Sequence, residues 1–237
     1  MNSFEGKVVL AGFLYYFSFS CKHHPPQVSL GKYPRIGEKA REQLSLKYAQ
    51  VNCRIMKTEI GAVNALPTVT VLVGANVDGK PTYTAIAWVG VIGRTSILIS
   101  VNKQRYINSG IKKNQTFSVN LPSENLVEKT DYCGIKSGKD VDKSLLFTNF
   151  YGKLENAPII QECPVNMECE VTETFDTPTH DVFVGEIVAT HCEDSALVDG
   201  NVNLGKVKPF LLSLTDKGYW KTGDKLANAW EIGKNIE

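Results

Sequence analysis

The sequence predicts a mainly β fold with short helices, in which antiparallel strands form a closed or half-closed barrel. Six apolar, β-branched segments follow one another from about Thr68 onward, separated by short segments of helical or turn character. The sequence lacks a regular alternation of strand and helix, and it lacks the GxGxxG and GxxxxGKS/T sequences of nucleotide-binding loops. Its 237 residues, 43% hydrophobic and 22% charged, are typical of a globular protein that buries a substantial core.

The first three strands are predicted around a tight hairpin. The first, Val69–Val73, is apolar and β-branched, and Asp78-Gly79 after it favours a two-residue turn because glycine adopts positive φ without strain. The second and third strands are predicted over Thr82–Val91 and Ser96–Val101.

Two short helices and three further strands complete the predicted barrel. Helical patterns cover Ile107–Lys113 and Leu126–Tyr132, and Thr116–Leu121 between them is a strand that Pro122 ends. The last two strands, Asn166–Glu173 and Val182–His191, are expected to pair antiparallel across the turn at Pro178.

The amino-terminal quarter differs from the rest of the chain. Residues 1–57 carry a net charge of +6, and the remainder carries −5. The short apolar run Val8–Ser20 ends at Cys21, the layout of a bacterial lipoprotein signal whose cysteine is acylated. An uncleaved membrane-associated segment and a cytoplasmic packing arm are the alternatives. We expect a signal over 1–21, a linker with a helix between Ile36 and Ile55 over 22–57, and the barrel domain over 58–237.

Histidines and cysteines give no sign of a metal site. The six cysteines include no CxxC pair and no zinc-finger spacing, so buried thiols are expected at Cys53, Cys163, Cys169 and Cys192. A Cys163–Cys169 disulfide is the alternative if the protein is exported. Cys133 is likewise expected to be a buried thiol rather than a nucleophile, and His23-His24 is expected to be part of a solvated linker rather than a pair of metal ligands.

The segment from Ser100 to Tyr106 is a candidate anion site. It is a polar turn between a strand and a helix, and Lys103 and Arg105 flank it. Their charges can converge on an anion, to which the backbone N–H groups of the turn and the helix start add donors. The alternative is that both cations are merely solvated.

Two other segments offer ligand contacts. Trp88 follows the predicted strand residues Thr84–Ala87, and the pattern alone favours a core aromatic over the wall of a planar-ligand site. The loop from Asp131 to Lys143 is polar and glycine-containing, and it is long enough to cover a ligand.

Taken in order, these segments resemble the flavin reductase-like family of FMN-binding split barrels, and most of all its flavoredoxin branch. The resemblance covers about residues 58–234. It rests on Ala87-Trp88-Val89-Gly90, Ser100-x-x-Lys103-x-Arg105-Tyr106, Val119-Asn120-Leu121-Pro122-Ser123, Asp131-Tyr132-Cys133-Gly134-Ile135 and Ser137-Gly138-x-Asp140-Val141-Asp142-Lys143.

The resemblance implies a six-stranded antiparallel, Greek-key-like split barrel that forms a homodimer with FMN near the subunit interface. Ala85 stands where the family often has Thr, and Asn102 where it often has Arg, which removes polar contacts to the cofactor. No catalytic side chain is implied. The implied cofactor-binding residues are Thr84, Ala85, Ile86, Ala87, Trp88, Ser100, Asn102, Lys103, Arg105, Tyr106, Ser137 and Lys143.

The expected function is an FMN-dependent oxidoreductase. It would pass electrons from NAD(P)H or a protein donor to a flavin or protein acceptor, as a reductase or only as an electron carrier. The alternative is a non-enzymatic β-barrel module that holds a small ligand. No nucleic-acid partner is expected, because the −5 charge of the barrel region argues against a basic groove. Membrane attachment through lipidated Cys21 is favoured over a cytoplasmic location.

Overall fold

The computed structural model describes residues 4–10, 13–19 and 57–236, and the chain divides into two compact units, Met1–Ile60 and Gly61–Glu237. In the first unit, β1 (Phe4–Leu10) and β2 (Phe13–Phe19) pair antiparallel from Phe4↔Phe19 to Leu10↔Phe13. The expectations for Cys21, His23-His24, the helix between Ile36 and Ile55, and Cys53 fall outside the described residues.

The second unit consists of strands with short helices between them. Its strands are β3 (Thr68–Val69), β4 (Val71–Val77), β5 (Lys80–Ile86), β6 (Val89–Val91), β7 (Ser96–Asn102), β8 (Thr116–Leu121), β9 (Asn149–Phe150), β10 (Ile159–Ile160), β11 (Val165–Asp176), β12 (His180–Cys192), β13 (Leu197–Val198), β14 (Asn201–Val202), β15 (Phe210–Ser213) and β16 (Gly218–Lys221). The α-helices are α1 (Tyr106–Asn114), α2 (Val127–Ile135) and α3 (Leu204–Val207). Single 3-10 turns cover Glu124–Leu126, Lys143–Leu146, Asp194–Ala196 and Ile232–Asn235.

Seven strands form one antiparallel sheet in the order β5-β4-β8-β11-β12-β7-β6. Its two edge strands, β5 and β6, are joined by Ala87 and Trp88 alone. Because so short a link spans only about 10 Å, the sheet must curl until its edges approach each other. The mainly β, antiparallel barrel prediction is therefore confirmed, as a half-barrel.

The expected number of six strands is wrong, and the reason lies in one segment. The strand predicted over Thr82–Val91 is interrupted at Ala87-Trp88, and its two parts lie at opposite edges of the sheet. β5 pairs with β4, whereas β6 pairs with β7. Strand-like sequence continues across the break, so only the long-range pairing shows that two strands are present.

The predicted hairpin turn is confirmed. Asp78 has φ 50° and Gly79 has φ 78°, and the flanking residues Val77 and Lys80 are paired. Positive φ at both central positions is the geometry of a type I′ turn, whose twist matches that of the strands. The predicted pairing of the last two strands across Pro178 is also confirmed, by β11 and β12.

β4 is buried on both faces and separates two core clusters. Val71, Val73 and Ala75 belong to the barrel core, which also contains Ile107 and Ile111 of α1. Leu72, on the alternate face of the strand, belongs to a second cluster with Tyr83 and Cys133. Side chains of one strand thereby attach α1 to one face of the sheet and α2 to the other.

Helix α1 approaches the sheet closely at Gly110. A Cβ atom added there would lie 2.3 Å from the carbonyl oxygen of Asn76 on β4. Main-chain atoms cannot move aside as a side chain can, so this contact fixes the distance between the helix and the sheet.

We expect Gly110→Ala to destabilise the fold although alanine is the better helix former. Overpacking against a main-chain atom is expected at the upper end of its range, about 3 kcal/mol, and the gain in helix propensity is about 1 kcal/mol, which leaves a net loss of about 2 kcal/mol. Urea unfolding of the variant and the parent measures this difference in the free energy of unfolding. Ser109→Ala, at an exposed position of the same helix, should stay within about 0.5 kcal/mol of the parent. Equal stability of the two variants would contradict the close contact.

The four cysteines in the part of the chain that the structure describes are free thiols. Cys133, Cys163 and Cys169 are buried and Cys192 is half-buried, so the Cys163–Cys169 disulfide does not form in this structure. Burial raises the pKa of Cys133 to about 11, which agrees with a thiol that packs rather than reacts. Within the described residues, no cluster of three or more metal-ligating side chains occurs, and no helix combines the length and apolarity needed to cross a membrane.

Candidate functional site

A cavity of about 490 Å³ opens where β5, the end of β7, the start of α1 and the loop after α2 meet. This volume lies within the usual range for small-molecule and cofactor sites. None of its lining residues among those the structure describes is an Asp or a Glu. The lining residues are Thr82, Tyr83, Thr84, Ala85, Ile86, Trp88, Ser100, Asn102, Gln104, Arg105, Tyr106, Ile107, Ile135, Lys136, Ser137, Gly138, Lys143 and His180.

The turn from Asn102 to Arg105 forms one wall of the cavity. Oδ1 of Asn102 accepts a hydrogen bond from the backbone N–H of Gln104 at 2.9 Å, and its carbonyl oxygen accepts one from the N–H of Arg105 at 2.9 Å. Asn102 therefore stabilises the turn with both its side chain and its main chain.

Helix α1 begins at this turn. Its N-cap, Arg105, is extended and makes no side-chain cap, and the first helical turn contains no acidic residue. The first N–H groups of a helix have no partners within the helix, and its N-terminus carries a partial positive charge. Tyr106 and Ile107, the first two helical residues, both line the cavity. This end of the cavity is therefore suited to an anion.

The C-terminal end of α2 holds two cations at the cavity. The carbonyl oxygen of Cys133 accepts a hydrogen bond from Nζ of Lys143 at 2.7 Å, and that of Gly134 accepts one from Nη1 of Arg105 at 2.7 Å. The last carbonyl groups of a helix lack intrahelical partners and carry partial negative charge, which favours cations. The helix end thus positions the two side chains.

Lys143 is buried, with 3% of its surface exposed. Its ammonium also donates a hydrogen bond to the carbonyl oxygen of Tyr83 on β5 at 3.0 Å. Within the described residues, no carboxylate lies within 4.0 Å of it. Burial lowers the pKa of Lys143, and the nearby positive charge of Arg105 lowers it further.

Lys103, the other predicted phosphate ligand, is directed elsewhere. Its Nζ lies 2.5 Å from Oδ1 of Asp176, at the end of β11, and Lys103 is not among the cavity-lining residues. The predicted convergence of Lys103 and Arg105 is therefore not seen. Arg105 is instead accompanied by Lys143, from a loop far along the chain.

Ten of the twelve predicted site residues line the cavity, and Ala87 and Lys103 do not. Ala87 is buried between β5 and β6. The interpretation of Trp88 as a core aromatic is wrong, since the side chain is 49% exposed and forms part of the cavity wall. That these ten residues bind a cofactor stays a prediction.

Sequence reasoning missed His180, the first residue of β12. Its ring centroid lies 5.7 Å from that of Trp88, and its Nδ1 lies 2.8 Å from Oγ1 of Thr179. His180 is paired with Asn102 across the β7–β12 ladder, which brings it to the cavity. Each of the other missed lining residues lies within two positions of a predicted one, so a wider window around each segment would have included them; they are Thr82, Tyr83, Gln104, Ile107, Ile135, Lys136 and Gly138.

Comparison with known proteins gives the family. Residues 63–208 match the family model described as the flavin reductase like domain. The chain belongs to the flavin reductase-like family. Its half-barrel resembles a flavoredoxin from Methanosarcina acetivorans, with 43% sequence identity and a TM-score of 0.74 over 77% of this chain and 100% of the other. It also resembles the flavoredoxin of Desulfovibrio vulgaris, with 32% identity and a TM-score of 0.70 over 75% of this chain and 100% of the other.

A more distant relative is an FMN reductase (NADH) from Acinetobacter baylyi, 27% identical over 146 residues, which are 60% of this chain and 77% of the relative. These matches confirm the family predicted from the sequence. The homodimer and the lipid anchor at Cys21 stay predictions.

The residues at the cavity fit an FMN molecule. Arg105, Lys143 and the N-terminus of α1 supply positive charge for a phosphate-bearing ligand. Thr84 on β5 is among the residues that line the cavity, and its Oγ1 is buried without a hydrogen-bond partner. Trp88 and Ile135 add exposed apolar surface for a planar ring.

Proposed function

We propose that this protein binds FMN in the cavity and transfers electrons through it. One observation carries the proposal: positive groups from α1, Arg105 and Lys143 surround a cavity that has no carboxylate among its described lining residues. The phosphate would bind at the start of α1 beside Arg105, because that turn offers both a cation and free N–H groups. The ring would then extend along β5 towards Trp88.

Bound FMN supplies the two-electron redox chemistry. The residues of this chain hold and orient it. Thr84 and Trp88 would border the ring on the β5 side, and the loop at Ser137 and Gly138 would border it on another side. None of these residues needs to transfer a proton, because the flavin itself carries the redox chemistry.

The family includes both possible roles for such a site. The relative from Acinetobacter baylyi is an FMN reductase (NADH), and the two similar structures are flavoredoxins. We propose NAD(P)H or a redox protein as donor and a flavin or protein as acceptor.

An anaerobic visible spectrum tests the proposal. We expect the purified protein, with FMN added if necessary, to show the bound-flavin absorption after gel filtration. Bleaching by NADH or NADPH would identify a reductase, and bleaching by dithionite alone an electron carrier. Failure to retain FMN would contradict the proposal and favour the non-enzymatic small-ligand module.

A further inference from the structure

The ammonium of Lys143 has a donor that the protein does not use. Two of its protons are taken by the carbonyl oxygens of Tyr83 and Cys133, at 3.0 and 2.7 Å. An ammonium group has three donors, and the side chain lines the cavity. One N–H therefore remains for whatever occupies the cavity.

A buried cation of this kind is costly. Removing an ammonium from water is unfavourable unless an opposite charge or several hydrogen bonds compensate it. Lys143 receives two neutral carbonyl groups and no carboxylate among the described residues. The site is electrostatically incomplete until an anion approaches.

Lys143 and Arg105 both bind the C-terminal end of α2, but only Lys143 is also hydrogen-bonded to β5. It is attached to β5 through the carbonyl of Tyr83, and the next residue, Thr84, has the buried hydroxyl without a partner. Arg105, in contrast, precedes α1. With the phosphate at Arg105 and the ring along β5, Lys143 would be the cation beside the ring, because its ammonium is bonded to that strand.

We infer that Lys143 sets the reduction potential of bound FMN by stabilising the negative charge that the ring acquires on reduction. Uptake of two electrons and one proton from the solvent changes the neutral ring to one with a single negative charge, so a fixed cation nearby binds the reduced form more tightly than the oxidised form. The inference rests on the proposed function and gives Lys143 a role distinct from that of Arg105.

The test compares Lys143→Met, which removes the charge, with Lys143→Arg, which keeps it. The affinity for oxidised FMN is measured by fluorescence titration, and the midpoint potential of the complex by anaerobic titration with dithionite. We expect Lys143→Met to weaken binding of reduced FMN at least tenfold more than binding of oxidised FMN. For a two-electron couple, a tenfold difference lowers the potential by about 30 mV. Lys143→Arg should change the ratio of the two affinities, for reduced and for oxidised FMN, less than threefold.

Two results would overturn the inference. An unchanged potential in Lys143→Met would mean that the ammonium does not act on the ring. Equal loss of affinity for both redox states would assign Lys143 to the phosphate, or to the α2–β5 contact alone, and parallel titrations with riboflavin separate these two. If Lys143→Met does not fold by circular dichroism, Lys143→Gln, which is neutral but keeps a donor for a carbonyl, is measured in its place. Failure of the parent protein to bind FMN would instead overturn the proposed function.

Discussion

Arg105→Ala is expected to weaken FMN binding about 10- to 150-fold, because a hydrogen bond to a charged group contributes about 1.5–3 kcal/mol. The guanidinium is held at the cavity by the carbonyl of Gly134, so its charge is already in place before a phosphate binds. Preorganisation of this kind reduces the entropic cost of binding. Fluorescence titration with FMN at fixed, low salt measures the effect.

Lys103→Ala is the matched control for Arg105→Ala. Lys103 lies two residues away and has the same charge, but its ammonium is paired with Asp176. We expect the affinity for FMN to change less than threefold. A loss as large as that of Arg105→Ala would restore the sequence-based prediction that both cations bind the phosphate. Riboflavin, which has no phosphate, should bind the parent and Arg105→Ala alike.

Local features of the fold were predictable because neighbouring residues determine them. The turn at Asp78-Gly79 follows from the positive φ that glycine tolerates, and β8 was placed correctly because Pro122 ends its apolar run. The polar turn before α1 was likewise predicted from its residues and the helix after it. In each case the deciding contacts lie within a few residues of one another.

Long-range pairing determined what sequence reasoning missed. β5 and β6 read as one strand, but they bind different neighbours at opposite edges of the sheet. Asp176 reaches Lys103 because β12 pairs with β7 in a register that sets His180 opposite Asn102. Nothing near Lys103 in the sequence indicates a carboxylate that lies 73 residues further along the chain. The same register brings His180 to the cavity.

Glu168→Gln is expected to produce the largest loss of stability, on the order of 3 kcal/mol. Glu168 on β11 is buried, and its Oε1 accepts hydrogen bonds from the N–H of Lys153 at 3.0 Å and from Nε2 of His191 at 2.7 Å. Its Oε2 accepts one from the N–H of Leu154 at 2.6 Å. A glutamine has only one acceptor oxygen, so its NH₂ group would lie against one of these N–H donors. Because the site is buried, that donor would lose its hydrogen-bond acceptor.

The pH dependence of this loss follows from the pKa of Glu168. Burial raises the pKa, but the hydrogen bonds from His191, Leu154 and Lys153 outweigh burial and hold it below its usual value. The stabilisation is therefore complete above the unfolded-state pKa of about 4.3 and is lost as the pH falls through the lower folded-state value. Urea unfolding at neutral and acidic pH should show that the difference in free energy of unfolding between the parent and Glu168→Gln becomes smaller in acid.

Lys153→Ala, which leaves the main-chain N–H in place, should retain the parent's dependence of stability on pH. A gap that is constant with pH would show that the carboxylate charge is not what stabilises this part of the sheet.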